Sequence, residues 1–293
     1  MHPIRELAET SQKTLTLWTD RFHSQSKSHS KTQYRPSWFW KSPEYQDWRS
    51  NERSQFLWCT GKPGIGKSSI VATLVSDLTK ERIHSESIAH FFFQSPTARN
   101  ATPFIPSFVV CSIIAQLLHI SYDITAIHDH AVWLGQNEHS ILLKALTYTV
   151  DINRVYEEEQ AIDSGGEHSR GGQISSRLSR ATSALRSLSE DDLWKILTSF
   201  LLANTGHDIY IIIDGVESML TEDQSRLLRN LRRLWISVQA KFKPSLKILI
   251  TSRPLLKMQD LLRGLPYIDQ DKEYNGEKTP HGLNQALSHS KNV

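Results

Sequence analysis

An ammonium and a hydroxyl stand side by side at Lys67 and Ser68, at the end of the run Gly61-Lys62-Pro63-Gly64-Ile65-Gly66-Lys67-Ser68. The run fits the pattern G-x-x-x-x-G-K-[ST] in full, a loop whose successive backbone N–H groups curl round phosphate oxygens. The glycines Gly64 and Gly66 leave room for an anion against the backbone. In such a loop Lys67 reaches the β- and γ-phosphates of a nucleotide and the Ser68 hydroxyl takes one position on Mg²⁺. Residues Gly61 to Ser69 are therefore the expected cofactor-binding stretch, with ATP (or GTP) and Mg²⁺ as the expected ligands.

A cation needs a carboxylate. Asp208-Ile209-Tyr210-Ile211-Ile212-Ile213-Asp214 is the most β-branched run of the chain and ends in an acid. Such a run reads as a fully buried parallel strand whose carboxyl end opens on the ligand crevice of an α/β sheet. Asp214 is then the Mg²⁺ carboxylate, and Glu217 is placed to orient or deprotonate an attacking water. The plainer alternative is that Asp214 only opens a turn with Gly215 and Glu217 is solvated. Another apolar run, Leu246-Lys247-Ile248-Leu249-Ile250, leads into Thr251-Ser252-Arg253-Pro254. Two hydroxyls and a guanidinium at a strand end suit a sensor of the γ-phosphate, because the planar fork of Arg253 can donate two parallel hydrogen bonds. Thr251, Ser252 and Arg253 join the candidate nucleotide-binding set, and Lys67, Asp214 and Glu217 form the candidate catalytic set.

The elements that must position these groups are legible nearby. Phe56 to Thr60 reads as the strand before the glycine loop, and Ile70, Val71, Leu74, Val75 and Leu78 mark one face of a helix after it. Further strands are expected near Ser87 to Phe93, Asp208 to Ile213 and Lys247 to Thr251. A packed helix is expected to begin near Pro106. Thr221-x-x-Gln224 has the pattern of a capping box, followed by Leu227, Leu228, Leu231, Leu234, Trp235 and Val238 on one face, with Pro244 as the stop. Arg229, Arg232 and Arg233 fall off that stripe and read as a solvated face.

The three motifs in this order resemble the NACHT-type signal-transduction NTPases, in particular the fungal members with a nephrocystin-three-like N-terminal domain. Trp40 to Trp48 resembles the lead-in of that family, and His90-Phe91-Phe92-Phe93 its aromatic second strand. Ile113 to Leu118 resembles the helix that follows, and Asp192 to Leu197 the helix before the acidic strand. The resemblance spans Ser37 to Pro254. It implies a three-layer α/β P-loop NTPase of the ASCE and STAND type, with a mainly parallel sheet. In that sheet the strand ending at Arg253 lies between the strand before the loop and the strand ending at Asp214. It also implies an ATP–Mg²⁺ switch that controls assembly, with self-association or a signalling protein as partner. Two departures stand out. Ser218 occupies the place where the family carries a second acid, which bears on hydrolysis, and only Leu255 to Val293 remain where members continue into helical and winged-helix regions.

Composition fits an ordinary globular chain. Apolar residues make up 39% and charged residues 22% of the 293 positions, enough for one large α/β core. A formal charge of +3 is too small to argue for nucleic acid. Cys59 and Cys111 lie in apolar runs and read as reduced buried thiols, and no signal peptide or membrane span is expected, so the reading is cytoplasmic. The expected organisation is an N-terminal helix and flexible linker over 1–36, an NTPase domain over 37–270 and an irregular tail over 271–293. A Glu-, Ser-, Arg- and Gly-rich insert over 157–190 is expected to be disordered, because so polar a stretch buries too little to offset its chain entropy.

Three functions follow as candidates: a nucleotide-controlled switch, a P-loop phosphotransferase on a small substrate, and a nucleotide-binding interaction module that does not cycle. No lid with extra arginines supports the second. The switch is the preferred expectation and the non-cycling binder its alternative.

Overall fold

In the computed structural model, residues 36–81, 86–93, 105–120, most of 138–155, 171–203, 208–239, 245–254 and 256–273 are described. Five parallel strands form one sheet in the order β2-β3-β4-β1-β5, with β1 at Gln55–Thr60, β2 at Glu86–Phe92, β3 at Asp208–Asp214, β4 at Leu246–Ser252 and β5 at Tyr267–Asp269. β4 lies between β3 and β1, as the resemblance implied, so the ends of all three motif strands are neighbours. β5 has no counterpart in the sequence reading; three residues with one buried side chain, Ile268, are too short for a periodicity to register.

Alternation along the strands divides the core into two layers. Phe56 and Trp58 of β1, Ile209, Ile211 and Ile213 of β3, and Leu246, Ile248 and Ile250 of β4 face one cluster. Leu57, Cys59, Tyr210, Ile212 and Leu249 face the other. Period-two side chains that are apolar on both faces dictate a strand covered on both sides. The second face is covered by α1 (Ser37–Lys41), α2 (Pro43–Ser50) and α3 (Lys67–Glu81). The first is covered by α4 (Pro106–Ile120), α5 (Gly171–Arg186), α6 (Glu190–Ala203) and α7 (Thr221–Gln239). The result is a three-layer α/β fold.

The Trp40 to Trp48 lead-in becomes a packed hairpin of short helices. Ser42 caps α2 by accepting the Tyr45 N–H at 3.3 Å, with Pro43 at the first helical position, where its missing donor costs nothing. Trp48 then buries its ring and donates Nε1 to the Ile248 carbonyl at 3.0 Å, tying the lead-in to β4. On the other side of the sheet the aromatic β2 is held by α4. Gln116 accepts the His90 N–H and donates to the His90 carbonyl, each at 2.8 Å.

The structure corrects three expectations. Part of the stretch read as a disordered insert, 157–190, is α5, which packs on α4 through buried Leu178, Ala181 and Leu185. Three modest apolar residues at helical spacing are enough to seat it, and the Ser and Arg residues between them occupy its solvent side. Residues 157–170 lie outside the described residues. The capping box at Thr221 does not form, since Thr221 is already helical. Gln224 instead turns back and donates to the carbonyls of Met219 at 2.7 Å and Glu217 at 3.3 Å. Residues 271–273, read as the start of an irregular tail, belong to a short helix, α9 (Gln270–Glu273), which follows α8 (Leu256–Leu261). The N-terminal helix and linker over 1–35 and the tail beyond 273 lie outside the described residues.

Candidate functional site

The site is built where β1, β3 and β4 end. β1 delivers the chain into the glycine loop, and α3 begins at Lys67, so the first N–H groups of a 15-residue helix have no helical carbonyl to bind and point toward the loop's concavity. Gly64 sits at φ +78° with nothing within 4 Å of where a Cβ would be, so the loop is open on that side. Lys67 is 8% exposed, and its Nζ donates to Gly61 O at 2.6 Å and to Lys62 O at 3.0 Å. Burial lowers the Lys67 pKa, opposed by the negative charges of Glu217 and Asp214.

Asp214 closes β3, 2% exposed. Its Oδ2 accepts the Ser68 hydroxyl at 2.6 Å and its Oδ1 accepts the Thr251 hydroxyl at 2.5 Å. Desolvation pushes the Asp214 pKa up, and the two hydroxyl donors pull it back. The chain then turns at Gly215, φ +79°, a left-handed conformation a side chain would strain, into a 3₁₀ turn over Val216–Ser218. That turn presents Glu217. Its Oε1 lies 3.5 Å from Arg253 Nε, and its Oε2 is buried with no hydrogen-bond partner. Gln224 grips the backbone of the same turn from α7.

The residues expected at the site thus converge, with two distinctions. Ser68 joins Asp214, and Arg253 joins Glu217. Arg253 is half exposed, and its charge is felt at Lys67. Thr251 and Ser252, by contrast, are fully buried and already committed within the fold. Thr251 accepts the Gly215 N–H at 3.0 Å while donating to Asp214. Ser252 accepts Trp58 Nε1 and donates to the Arg253 carbonyl, each at 2.9 Å. Sequence reading missed Gln224 and Asp271 as neighbours of the site. Asp271 accepts the Lys62 N–H of the loop, and only the pairing of Thr60 with Asp269 in β5 brings it there.

The donor set suits a nucleotide-bound Mg²⁺. A hydroxyl and a carboxylate already in contact offer the hard oxygen ligands such an ion takes, and an ion held by one or two side chains completes its shell with phosphates and water. Among the described residues no group of three or more His, Cys, Asp or Glu forms an all-protein cage.

Strand order, glycine loop and acidic strand end together define a P-loop NTPase fold. Residues 36–158 match the family model for the nephrocystin 3 N-terminal region. The match takes in the loop, α3, β2 and α4, and stops before Asp214. No curated protein matches the chain. Among solved structures, a DnaB-like replicative helicase, determined with its interactions with primase, is 12% identical with a TM-score of 0.29. That likeness covers 78% of this chain and 50% of the helicase, so the chain spans about half the helicase's length. VirB4 of Thermoanaerobacter pseudethanolicus is 13% identical, with a TM-score of 0.31 over 84% of this chain and 83% of that one. At these values neither structure bears on function.

Proposed function

We propose that the chain is a nucleotide-binding signalling module of the NACHT type, with its NTPase domain over 37–270, which binds ATP–Mg²⁺ and hydrolyses it slowly to control assembly with itself or a signalling partner. The observation that carries this reading is the 2.6 Å contact between Ser68 and Asp214, which joins the end of the glycine loop to the end of the acidic strand. Ser68 and Asp214 would hold the cation, and Lys67, with one N–H beyond the two that bind the Gly61 and Lys62 carbonyls, would neutralise phosphate charge. Glu217 is the residue placed to take a proton from water, and Arg253 the one placed to respond to phosphate. The bound cation would polarise the phosphates.

A second reading, a nucleotide binder that does not cycle, draws on one observation: the Glu217 carboxylate faces Arg253 rather than an open site. Ser218 in place of a second acid points the same way.

ATP–Mg²⁺ should raise the unfolding temperature of the wild type, as linkage requires of any ligand that binds only the native state. Lys67→Ala should abolish that rise, because the phosphates would then lie in a partly desolvated site without their compensating charge. An equal rise in the variant would refute the loop assignment. Release of ADP and phosphate supports the switch, and retained ATP without turnover supports the binder.

A further inference from the structure

α7 meets solvent along a row of side chains that the fold does not account for. Its first helical bond runs from the Gln224 N–H to the Leu220 carbonyl at 2.9 Å, so Leu220 stands at the N-cap, where a side-chain oxygen is preferred. Leu220 is instead apolar and 56% exposed, the most exposed large apolar side chain among the described residues. Beside it a cleft of about 770 Å³ opens between the first turns of α7 and the ends of α5 and α8, with Arg186, Leu220, Arg226, Arg229 and Leu261 in its lining. α8 is held to this wall by Arg232, which donates to the Leu261 carbonyl at 3.1 Å.

The charges around the cleft are unevenly matched. Arg226 bonds Asp223, lies 3.7 Å from Glu190 and feels the charge of Glu222, so the acids gather on one guanidinium. Arg186 and Arg229 on the walls, and Arg233 one turn further along α7, have no ion pair among the described residues. Arg226, Arg229 and Arg233 share one helical face, and Ile236, 52% exposed, closes the row. α7 carries four arginines and no lysine. Arginine is the more weakly hydrated cation and grips a carboxylate with two parallel N–H groups, and interfaces are enriched in it and depleted of lysine.

We propose that this face is a docking surface for an acidic segment of a partner protein: an apolar side chain of the partner seats in the cleft against Leu220 and Leu261, and its carboxylates meet Arg186, Arg229 and Arg233. The inference supplies a partner surface for the proposed function, and the docking itself needs no nucleotide. Two features favour a peptide over a small anion. The apolar and cationic parts are spread from Leu220 to Ile236, about 24 Å of helix, which is the reach of a peptide segment. Leu220 also forgoes a capping bond, a loss that burial against an apolar partner side chain would offset and a bare anion would not. The surface adjoins the candidate site, since Gln224 in the first turns of α7 holds the carbonyls of Glu217 and Met219.

The probe is a fluorescent glutamate-rich peptide with leucines at i and i+4 of one helical face. It is titrated by anisotropy, without nucleotide, into wild type, Leu220→Ser and the double variant Arg186→Gln with Arg229→Gln. Leu220→Ser supplies a better N-cap and should hold or raise the unfolding midpoint while weakening binding about tenfold, the loss of one buried leucine. The double variant should also bind more weakly, and added salt should narrow its difference from wild type. Peptides with serine for leucine, or lysine for glutamate, should not bind, and the complex should slow hydrogen exchange over residues 220–229. No saturable binding to wild type, or binding that Leu220→Ser leaves unchanged, overturns the proposal. Equal binding of the serine peptide overturns it too, because the row would then be a general polyanion surface. Self-association of wild type that Leu220→Ser abolishes would give the face to a second copy and not to a partner. Failure of ATP–Mg²⁺ to bind would sink the proposed function alone, because the peptide titration reports on the cleft independently.

Discussion

Thr251 holds Asp214 at its outer oxygen: the hydroxyl donates to Oδ1 at 2.5 Å and accepts the Gly215 N–H at 3.0 Å, so one side chain of β4 fixes both the acid and the turn after it. The other oxygen is left to Ser68. Thr251→Val keeps the shape but leaves a buried carboxylate oxygen and a backbone N–H without partners. The expected loss is about 1–3 kcal/mol in chemical denaturation, with weaker Mg²⁺-dependent nucleotide binding. Thr251→Ser, which keeps the hydroxyl, should lose little of either. A Val variant as tight for Mg²⁺-nucleotide as wild type would remove Thr251 from the site.

Glu217 and Arg253 form the hinge between the two functional readings. Glu217→Gln keeps the side-chain shape but cannot accept a proton, and a positioned base contributes on the order of a hundredfold or more. The variant should bind ATP–Mg²⁺ normally, hydrolyse it far more slowly and accumulate the ATP-bound form. Asp214→Asn should instead weaken Mg²⁺-dependent binding. Single-turnover phosphate release measures both. Slow wild-type turnover that Glu217→Gln leaves unchanged would establish the non-cycling binder.

The helix α5 tests how far the polar stretch belongs to the core. Leu185 is fully buried there. Leu185→Ala should cost about 2–5 kcal/mol, as deletion of a buried leucine side chain does, read as a lower denaturant midpoint at unchanged slope. A cost below about 0.5 kcal/mol, the range of substitutions at exposed positions, would return residues 171–186 to the role of a loose insert.

His90 gives the fold an acid sensitivity. Both ring nitrogens are buried without a partner, and desolvation lowers its pKa from 6.5 to about 4. Between those values the unfolded chain holds a proton that the folded chain excludes, so this contribution to stability is complete above pH 6.5 and is lost as pH falls toward about 4. The slope approaches about 1.4 kcal/mol per pH unit for one proton. Unfolding free energies of wild type and His90→Phe from pH 7.5 to 4.5 should diverge in slope, the variant lacking this component. Parallel curves would mean that His90 titrates alike in both states.

The parts of the molecule that the sequence made legible are those whose cause is local. A glycine loop between a β-branched run and a helical stripe needs no distant partner to be recognised, so Gly61 to Ser69, Asp214 and the strands that carry them follow from spacing alone. Thr251 and Ser252 illustrate the boundary. Their residue types suggested phosphate binding, but β-sheet register commits one hydroxyl to Asp214 and the other to Trp58 and the Arg253 carbonyl. Register between strands, whose paired groups here lie 37 and 194 residues apart, leaves no mark in a single sequence. Asp271 was hidden for the same reason, since its neighbour in space, Lys62, is brought to it by a three-residue strand. Gln224 misled by a different route: its spacing from Thr221 matched a cap, and the 3₁₀ turn before the helix took the amide instead.

The Gln116 amide on His90 has a bearing on how copies of this chain can meet. Among the described residues β2 is an outer strand of the sheet, and an outer strand offers its free N–H and C=O groups to any passing chain. At His90 both are already occupied, by a side chain from the helix lying over that edge. A strand approaching β2 would forfeit the pair of ladder bonds at His90 or have to displace the Gln116 side chain to regain it. Strand addition at this position of the border is therefore disfavoured.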